Sequence, residues 1–157
     1  MLRRKDQAVL KTLLAAALCL ALFTTLAGCG SDSSGRSTDT FAGTLADTDW
    51  ALSDTSRCDR YRCSANENGT GQVDLISEEF DPYLVVYAVS ADGTATEIAQ
   101  DNDSGDGLNA RVGFDMTRGV TYEVRVLSHT TGTGAYTLRF SSNLGTITQI
   151  PDPTPSS

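Results

Sequence analysis

Residues 121–126 read Thr121-Tyr122-Glu123-Val124-Arg125-Val126, in which polar and apolar side chains alternate. Residues 135–140 repeat the pattern as Ala135-Tyr136-Thr137-Leu138-Arg139-Phe140. Successive side chains of a β-strand point to opposite faces of the sheet, so each segment predicts a strand with one buried face and one face in water. On this basis Tyr122 and Leu138 belong in a core, whereas Glu123 and Arg125 are predicted to be solvated.

Six further segments have strand character. Clear alternation covers residues 72–75 and 111–116, and weaker signals cover residues 41–45, 59–64 and 96–99. Residues 83–89 are almost continuously apolar, which predicts a central strand covered on both faces or a strand at the crowded middle of a sandwich. Gly, Asp, Asn and Ser separate these segments, as turns require. Seven or eight short strands at this spacing predict an all-β, jelly-roll-like antiparallel β-sandwich over residues 41–140.

The first 28 residues have a different character. Four basic residues lie within the first eleven positions, and an uncharged run rich in Leu and Ala follows over residues 12–28. A basic start and a short apolar stretch are typical of an export signal. The run is shorter than the roughly 20 apolar residues that a spanning helix needs. Residues 1–28 are therefore assigned to a signal peptide.

The signal ends in Leu26-Ala27-Gly28-Cys29, which resembles the lipobox of bacterial lipoproteins. The resemblance implies that Cys29 receives a diacylglyceryl group on sulfur and, after cleavage, an acyl group such as palmitate on its new amino terminus. Two or more acyl chains give a stable membrane anchor, whereas one gives only reversible binding. The alternative is an uncleaved transmembrane anchor with an unmodified cysteine. Residues 29–40 are then a lipidated cysteine and a flexible tether rich in Ser, Asp, Gly and Thr.

The sequence has 157 residues and a formal charge of −8. Removal of residues 1–28 takes away four basic residues and one acidic residue, which changes the charge to −11. This charge repels phosphate backbones and anionic lipid, so we expect no nucleic-acid partner and a membrane contact made through the lipid alone. It favours cations and basic partners. The length suits one domain, followed by a Pro/Ser-rich tail over residues 141–157.

Two cysteines remain beyond the lipid site, Cys58 and Cys63. An exported protein meets an oxidising compartment, in which a disulfide between them is the default expectation. Five residues along an extended strand place two Cα atoms about 16 Å apart, however, and a disulfide needs about 4.4–6.8 Å. Either a turn brings the two residues together in a disulfide, or the two thiols pack separately.

Five short motifs follow one another along the chain. They are Asp59-x-Tyr61, Phe80-Asp81-Pro82-Tyr83-Leu84, Ala99-x-Asp101-Asn102-Asp103, Gly119-x-Thr121-Tyr122 and Gly134-x-Tyr136-x-Leu138. This series resembles the bacterial pre-peptidase C-terminal domain, a small β-sandwich related to the collagen-binding domains of clostridial collagenases and often appended to secreted peptidases. The resemblance implies that Tyr136 fills a core position in the last strand. The chain departs from the pattern at Cys58, at Cys63, where the family usually has an aromatic residue, and at Val120.

The side chains in the sequence argue against an enzyme. Catalysis needs a nucleophile with a base, a pair of carboxylates or a metal. His129 is the only histidine. It lies in a turn rich in Thr and Gly, which is typical of a solvated loop residue. No catalytic residue is therefore assigned.

Asp101, Asp103 and Asp106 fall within six positions of one loop. Hard oxygen ligands at this spacing suit Ca²⁺, so calcium is the one candidate metal, and no cofactor is otherwise required. The spacing of the ligands is not that of an EF-hand loop. The alternative is a polar hairpin loop in which Asp and Gly residues satisfy turn geometry.

These features together predict a lipid-anchored cell-envelope protein. Its β-sandwich is expected to be a non-catalytic binding module for an envelope or extracellular protein or polysaccharide. The alternative is an accessory or maturation factor for secreted peptidases, which only the family resemblance suggests. Gly30 follows the lipidated cysteine and lacks the Asp that retains many lipoproteins in the inner membrane of some bacteria. An outer-membrane location is expected if the source is Gram-negative.

Overall fold

The computed structural model describes residues 38–52, 56–141 and 144–151. Ten strands occur in this part of the chain. They are β1 (Thr38–Leu45), β2 (Trp50–Ala51), β3 (Arg57–Ser64), β4 (Gly69–Ile76), β5 (Pro82–Val89), β6 (Ala95–Asp101), β7 (Ala110–Met116), β8 (Thr121–Ser128), β9 (Gly134–Ser141) and β10 (Thr148–Ile150). The predicted signal peptide, Cys29 and most of the predicted tether lie outside the described residues. Within these residues, no helix is long and apolar enough to cross a membrane.

The strands form two antiparallel sheets. The first sheet has four strands in the order β1-β9-β4-β7, and the second sheet has the order β10-β3-β8-β5-β6, with β2 also paired to β3. Each of the eight predicted segments overlaps one strand, which confirms the antiparallel β-sandwich. β2 and β10 are additional, because two or three residues are too few to show alternation. β10 falls in the segment predicted as a tail and pairs with β3.

The alternating side chains meet between the two sheets and form the main core. Tyr122 of β8 and Leu138 of β9 are buried there, as the alternation predicts. β5 lies between β8 and the edge strand β6, and both of its faces carry buried apolar side chains. Its Leu84 belongs to the main core, whereas its Val85 belongs to a separate cluster on the outer side of the second sheet.

A polar contact ties the two sheets together inside the main core. Tyr136 of β9 donates its hydroxyl proton to Oδ2 of Asp59 in β3 over 2.6 Å, and its oxygen lies 2.8 Å from the hydroxyl oxygen of Tyr61. Gly43 of β1 leaves room for the ring, because a Cβ at that position would lie 2.3 Å from it. Burial raises the pKa of Tyr136 far above its ordinary value, so the hydroxyl keeps its proton. Tyr136 therefore occupies the core position that the resemblance implies.

Both cysteines of the domain lie in β3 with free thiols. They are five positions apart on an extended strand, so their side chains point to opposite faces of the sheet. Cys63 packs in the main core, and Cys58 packs with Val85 in the outer cluster. The disulfide between Cys58 and Cys63 is not formed, because an extended strand holds the two Cα atoms too far apart. Burial raises the pKa of each thiol to about 12.

The contact between the sheets can be tested with Tyr136→Phe, which keeps the ring and removes the hydroxyl. We expect the free energy of unfolding to fall by about 1–3 kcal/mol, because the buried carboxylate of Asp59 loses a donor. Urea denaturation followed by circular dichroism measures the change. The control is Thr40→Val, which removes a hydroxyl from an exposed position of β1 and should cost no more than about 0.5 kcal/mol. Equal effects of the two substitutions would contradict this role of Tyr136.

Candidate functional site

The outer faces of the two sheets carry different side chains. The first sheet presents small and polar residues to solvent, among them Thr40, Asp115 and Arg139. The second sheet carries a hydrophobic cluster on its outer side. Its members are the buried Cys58, Val85 and Leu127, with Trp50, Leu52, Tyr83 and Tyr87 packed around them. We call this outer surface of the second sheet the aromatic face, and it is the candidate functional site.

Arginine side chains stack on the rings of the aromatic face. The guanidinium carbon of Arg60 lies 4.7 Å from the centre of the Trp50 ring, and that of Arg125 lies 5.5 Å from the same ring. Arg125 is also 4.1 Å from the centre of the Tyr87 ring. Each cation over an aromatic face gains about 0.5–2 kcal/mol. The row of Arg60, Trp50, Arg125 and Tyr87 therefore restrains its own side chains.

A buried carboxylate lies beneath this row. Glu123 is only 3% exposed, so the prediction that it is solvated is wrong. Its Oε1 accepts a hydrogen bond from Nε of Arg125 at 2.9 Å, and its Oε2 accepts one from Nη2 of Arg62 at 3.0 Å. Burial acts to raise the pKa of Glu123, but the hydrogen bonds from Arg125 and Arg62 outweigh burial and lower the pKa below its ordinary value. Glu123 is therefore ionised at neutral pH and holds both guanidinium groups.

Two of the arginines repel each other. Arg60 and Arg125 are direct cross-strand partners between β3 and β8, and like charges in that register destabilise a sheet. The Trp50 ring, which both guanidinium groups approach, offsets part of this repulsion. Nη2 of Arg60 also donates a hydrogen bond to the carbonyl oxygen of Pro151 at 2.7 Å. Departures from the rules of sheet stability are expected at functional surfaces, so this pair supports the assignment of the aromatic face as a site.

The aromatic face continues over β5 towards β6. The hydroxyl of Tyr83 donates a hydrogen bond to Oε1 of Gln100. Beside Tyr83 and Tyr87 lies an open cleft of about 530 Å³, lined below by Val85 and Leu127 and at its rim by the loop that follows β8. Ligand pockets in proteins have volumes of about 300–1,000 Å³ and mostly apolar walls with a few polar groups. The cleft has the size of a ligand site, and its lining combines apolar and aromatic side chains with a comparable share of polar groups.

His129 lies at the rim of this cleft, and its side chain is 56% exposed. Nδ1 of the ring lies 3.5 Å from Oδ2 of Asp81 and 3.2 Å from Nδ2 of Asn102. Asp81 and Asn102 are therefore the polar neighbours that restrain the imidazole ring.

The loop predicted to bind calcium is closed by Asp101. Oδ2 of Asp101 accepts hydrogen bonds from the backbone N–H groups of Ser104 and Arg111, at 2.9 and 2.8 Å, and Oδ1 accepts one from the Ser104 hydroxyl at 2.6 Å. Burial opposes ionisation of Asp101, but these bonds outweigh it and lower the pKa. No three His, Cys, Asp or Glu side chains in the described ranges are grouped to hold a metal ion. Asp101 thus has a structural role that needs no cation, and calcium at Asp101, Asp103 and Asp106 stays a prediction.

The sequence does not reveal the aromatic face, because its parts are far apart along the chain. Trp50, Arg60 and Tyr87 come from three different strands, and each is unremarkable in its own segment. One signal is present in the sequence. An apolar run such as residues 83–89 requires a cover on the outer side of the sheet as well as on the core side. The aromatic and arginine side chains provide that cover.

No protein-family model and no curated protein matches this chain. Its fold is similar to solved structures of low sequence identity. The Yersinia pseudotuberculosis-derived mitogen is 12% identical with a TM-score of 0.51, over 73% of this chain and 99% of that protein. The pre-peptidase C-terminal domain of collagenase from Bacillus anthracis is 17% identical with a TM-score of 0.49, over 66% of this chain and 88% of that one.

A third similar structure is PliG from Aeromonas hydrophila, a periplasmic inhibitor of g-type lysozyme. It is 14% identical with a TM-score of 0.48, over 71% of this chain and 89% of that protein. At these identities a likeness concerns the fold alone. The ligand of this chain must therefore be argued from its own surface.

The carboxylate beneath the aromatic face can be tested with Glu123→Gln. At neutral pH we expect the free energy of unfolding to fall by about 1–3 kcal/mol, because charged hydrogen bonds to Arg62 and Arg125 are lost. The pKa of Glu123 is lower in the folded state than its ordinary value of 4.5. The stabilisation that the ionised Glu123 contributes to the folded state is therefore complete above about pH 4.5. It is lost as the pH falls through the pKa of Glu123 in the folded state.

The free energy difference between wild type and Glu123→Gln should accordingly shrink between neutral pH and about pH 3. Urea denaturation at several pH values measures it. Asp115→Asn, an exposed carboxylate on the first sheet, serves as the control and should leave stability nearly unchanged at every pH. A difference for Glu123→Gln that is constant across this range would contradict the ionised, hydrogen-bonded state.

Proposed function

We propose that this chain is a lipid-anchored cell-envelope protein whose β-sandwich is a non-catalytic binding module, and that the aromatic face binds a protein or a polysaccharide. One observation carries the proposal. A sandwich needs apolar side chains only between its sheets, and the outer face of the first sheet accordingly carries mostly small and polar side chains. The second sheet has Trp, Tyr and Arg on its outer side, and these residue types contribute most of the binding energy at interfaces.

The geometry of the aromatic face supports binding in a second way. Glu123 and the stacked rings restrain Arg62 and Arg125 before any ligand arrives. Side chains that are already ordered lose less conformational entropy on association, and affinity rises accordingly. Tyr and Trp add rigid rings that are apolar on their faces and polar at one end. The aromatic face is thus suited to stacking and hydrogen bonding.

The remaining parts of the proposal come from the sequence. Lipidation of Cys29 would hold the protein on the membrane, and residues 30–40 would space the domain from it. The charge of −11 after processing opposes nucleic acid and anionic lipid as ligands. An outer-membrane location is proposed for a Gram-negative source.

The binding role can be tested by capture from cell-envelope extract with the full processed protein in detergent. We expect wild type to retain one or more specific proteins or polysaccharides. A variant with Trp50→Ala and Tyr87→Ala should lose most of that material, because hot-spot aromatics each contribute about 2 kcal/mol or more. Thr40→Ala, on the outer face of the first sheet, is the control and should capture as wild type does.

Circular dichroism and thermal unfolding of each variant show whether the fold is kept. Equal capture by wild type and by the folded aromatic-face variant would rule out this face as the binding surface. Specific, face-dependent capture of a secreted peptidase would favour the accessory or maturation role over a matrix-binding role.

The anchor can be tested separately with Cys29→Ser. Intact-mass spectrometry of the wild-type protein should show a diacylglyceryl group on Cys29 and an additional acyl chain on its amino group. The variant should lack both groups and leave the membrane fraction or stay unprocessed, because no sulfur is available for acylation. An unmodified Cys29 in wild type would contradict the lipid anchor without affecting the proposal for the aromatic face.

A further inference from the structure

The aromatic rings and the rim groups of the cleft beside Tyr83 and Tyr87 indicate which chemical class of ligand it can bind. Both tyrosines belong to β5 and point to the outer side, with Val85 between them. Four residues along a strand correspond to about 13 Å, so the two rings form separate platforms on one line. Each ring is only partly buried. A ligand with repeated flat units could contact both rings at once.

The two rings are held in place by different contacts. The Tyr83 hydroxyl donates a hydrogen bond to Gln100. The guanidinium group of Arg125 lies over one face of the Tyr87 ring, 4.1 Å from its centre, and Tyr87 also lines the cleft. Arg125 is in turn held by Glu123. The spacing of the platforms is therefore fixed by the protein before the ligand binds. Such preorganisation reduces the entropic cost of binding an extended chain.

The rim of the cleft offers hydrogen-bonding groups with little charge. Thr130 and Thr131 contribute hydroxyls, His129 contributes a ring nitrogen, and Glu97 contributes an acceptor carboxylate. Among the described residues that line the cleft, there is neither Lys nor Arg. Together with the charge of −11 after processing, this opposes a polyanionic ligand. The cleft is suited to a neutral ligand with many hydroxyl groups.

From this geometry we infer that the cleft binds a neutral polysaccharide, with sugar rings stacked on Tyr83 and Tyr87 and sugar hydroxyls bonded to the rim. A sugar ring has an apolar C–H face that fits an aromatic ring and a polar edge that fits hydroxyl and carboxylate groups. A concave site of about 530 Å³ lies within the range of about 300–1,000 Å³ of ligand pockets and accommodates part of such a chain. The inference rests on the proposed function and names the ligand class for the same face.

The test uses the full processed protein in detergent and isothermal titration with defined hexasaccharides. The neutral probes are the β-linked hexamers of glucose, N-acetylglucosamine, xylose and mannose, and polygalacturonate is the acidic probe. We expect at least one neutral probe to bind and polygalacturonate to bind more weakly. Tyr83→Ala and Tyr87→Ala should each weaken binding at least about tenfold.

Two further variants, Glu97→Ala and Tyr83→Phe, and the control Thr40→Ala keep the test decisive if a tyrosine substitution disturbs the fold. Glu97→Ala removes a rim acceptor without touching the rings and should weaken binding several-fold, whereas Thr40→Ala on the first sheet should not change it. Tyr83→Phe keeps the ring and should retain more affinity than Tyr83→Ala.

The outcomes separate this inference from the proposed function. Binding of a neutral hexasaccharide that depends on Tyr83 or Tyr87 supports both. If no neutral probe binds, or polygalacturonate binds best, while a protein is still captured through the aromatic face, the polysaccharide inference is overturned and the binding module stands. If no neutral probe binds and capture does not depend on the aromatic face, both fail.

Discussion

The ionised carboxylate of Glu123 is the constraint on which the outer side of the second sheet depends. A buried charge is costly unless it is paired and hydrogen-bonded, and both carboxylate oxygens of Glu123 accept bonds from arginines. Arg125, held in this way, lies against Trp50 and Tyr87. One carboxylate thus orders a row of side chains that would otherwise be mobile or mutually repulsive, and the aromatic face is the result.

The two polar contacts of the sandwich have separate tasks. The bond from Tyr136 to Asp59 lies between the sheets and fixes how they face each other. The bonds to Glu123 lie on the outer side, where the main core gains nothing from them. They stabilise the pairing of β3 with β8, and they also order a solvent-facing surface in the way that binding would require.

Alternation in residues 121–126 and 135–140, together with the strand signals of six further segments, predicted eight of the ten described strands, core residues such as Tyr122 and Leu138, and the fold class. The same pattern predicted a solvated Glu123, because alternation gives the side of a strand but not what covers that side. The carboxylate is covered by Arg125 of the same strand and by Arg62, which lies 61 positions away, and the long-range contact leaves no local signal. β10 was missed because three residues show no period. The choice between a disulfide and two free thiols at Cys58 and Cys63 was decided only by the extended path of β3.

The central claim is that the aromatic face is covered by a ligand when the protein is in its own envelope. Hydroxyl-radical footprinting measures this directly, by comparing side-chain oxidation in intact envelopes with oxidation of the purified protein in detergent. We predict that Trp50, Tyr83 and Tyr87 are oxidised less in the envelope, whereas Arg139 and Ile76 on the first sheet are oxidised equally in both samples. Equal oxidation of the three aromatic residues in the two samples, or protection confined to the first sheet, would contradict the claim.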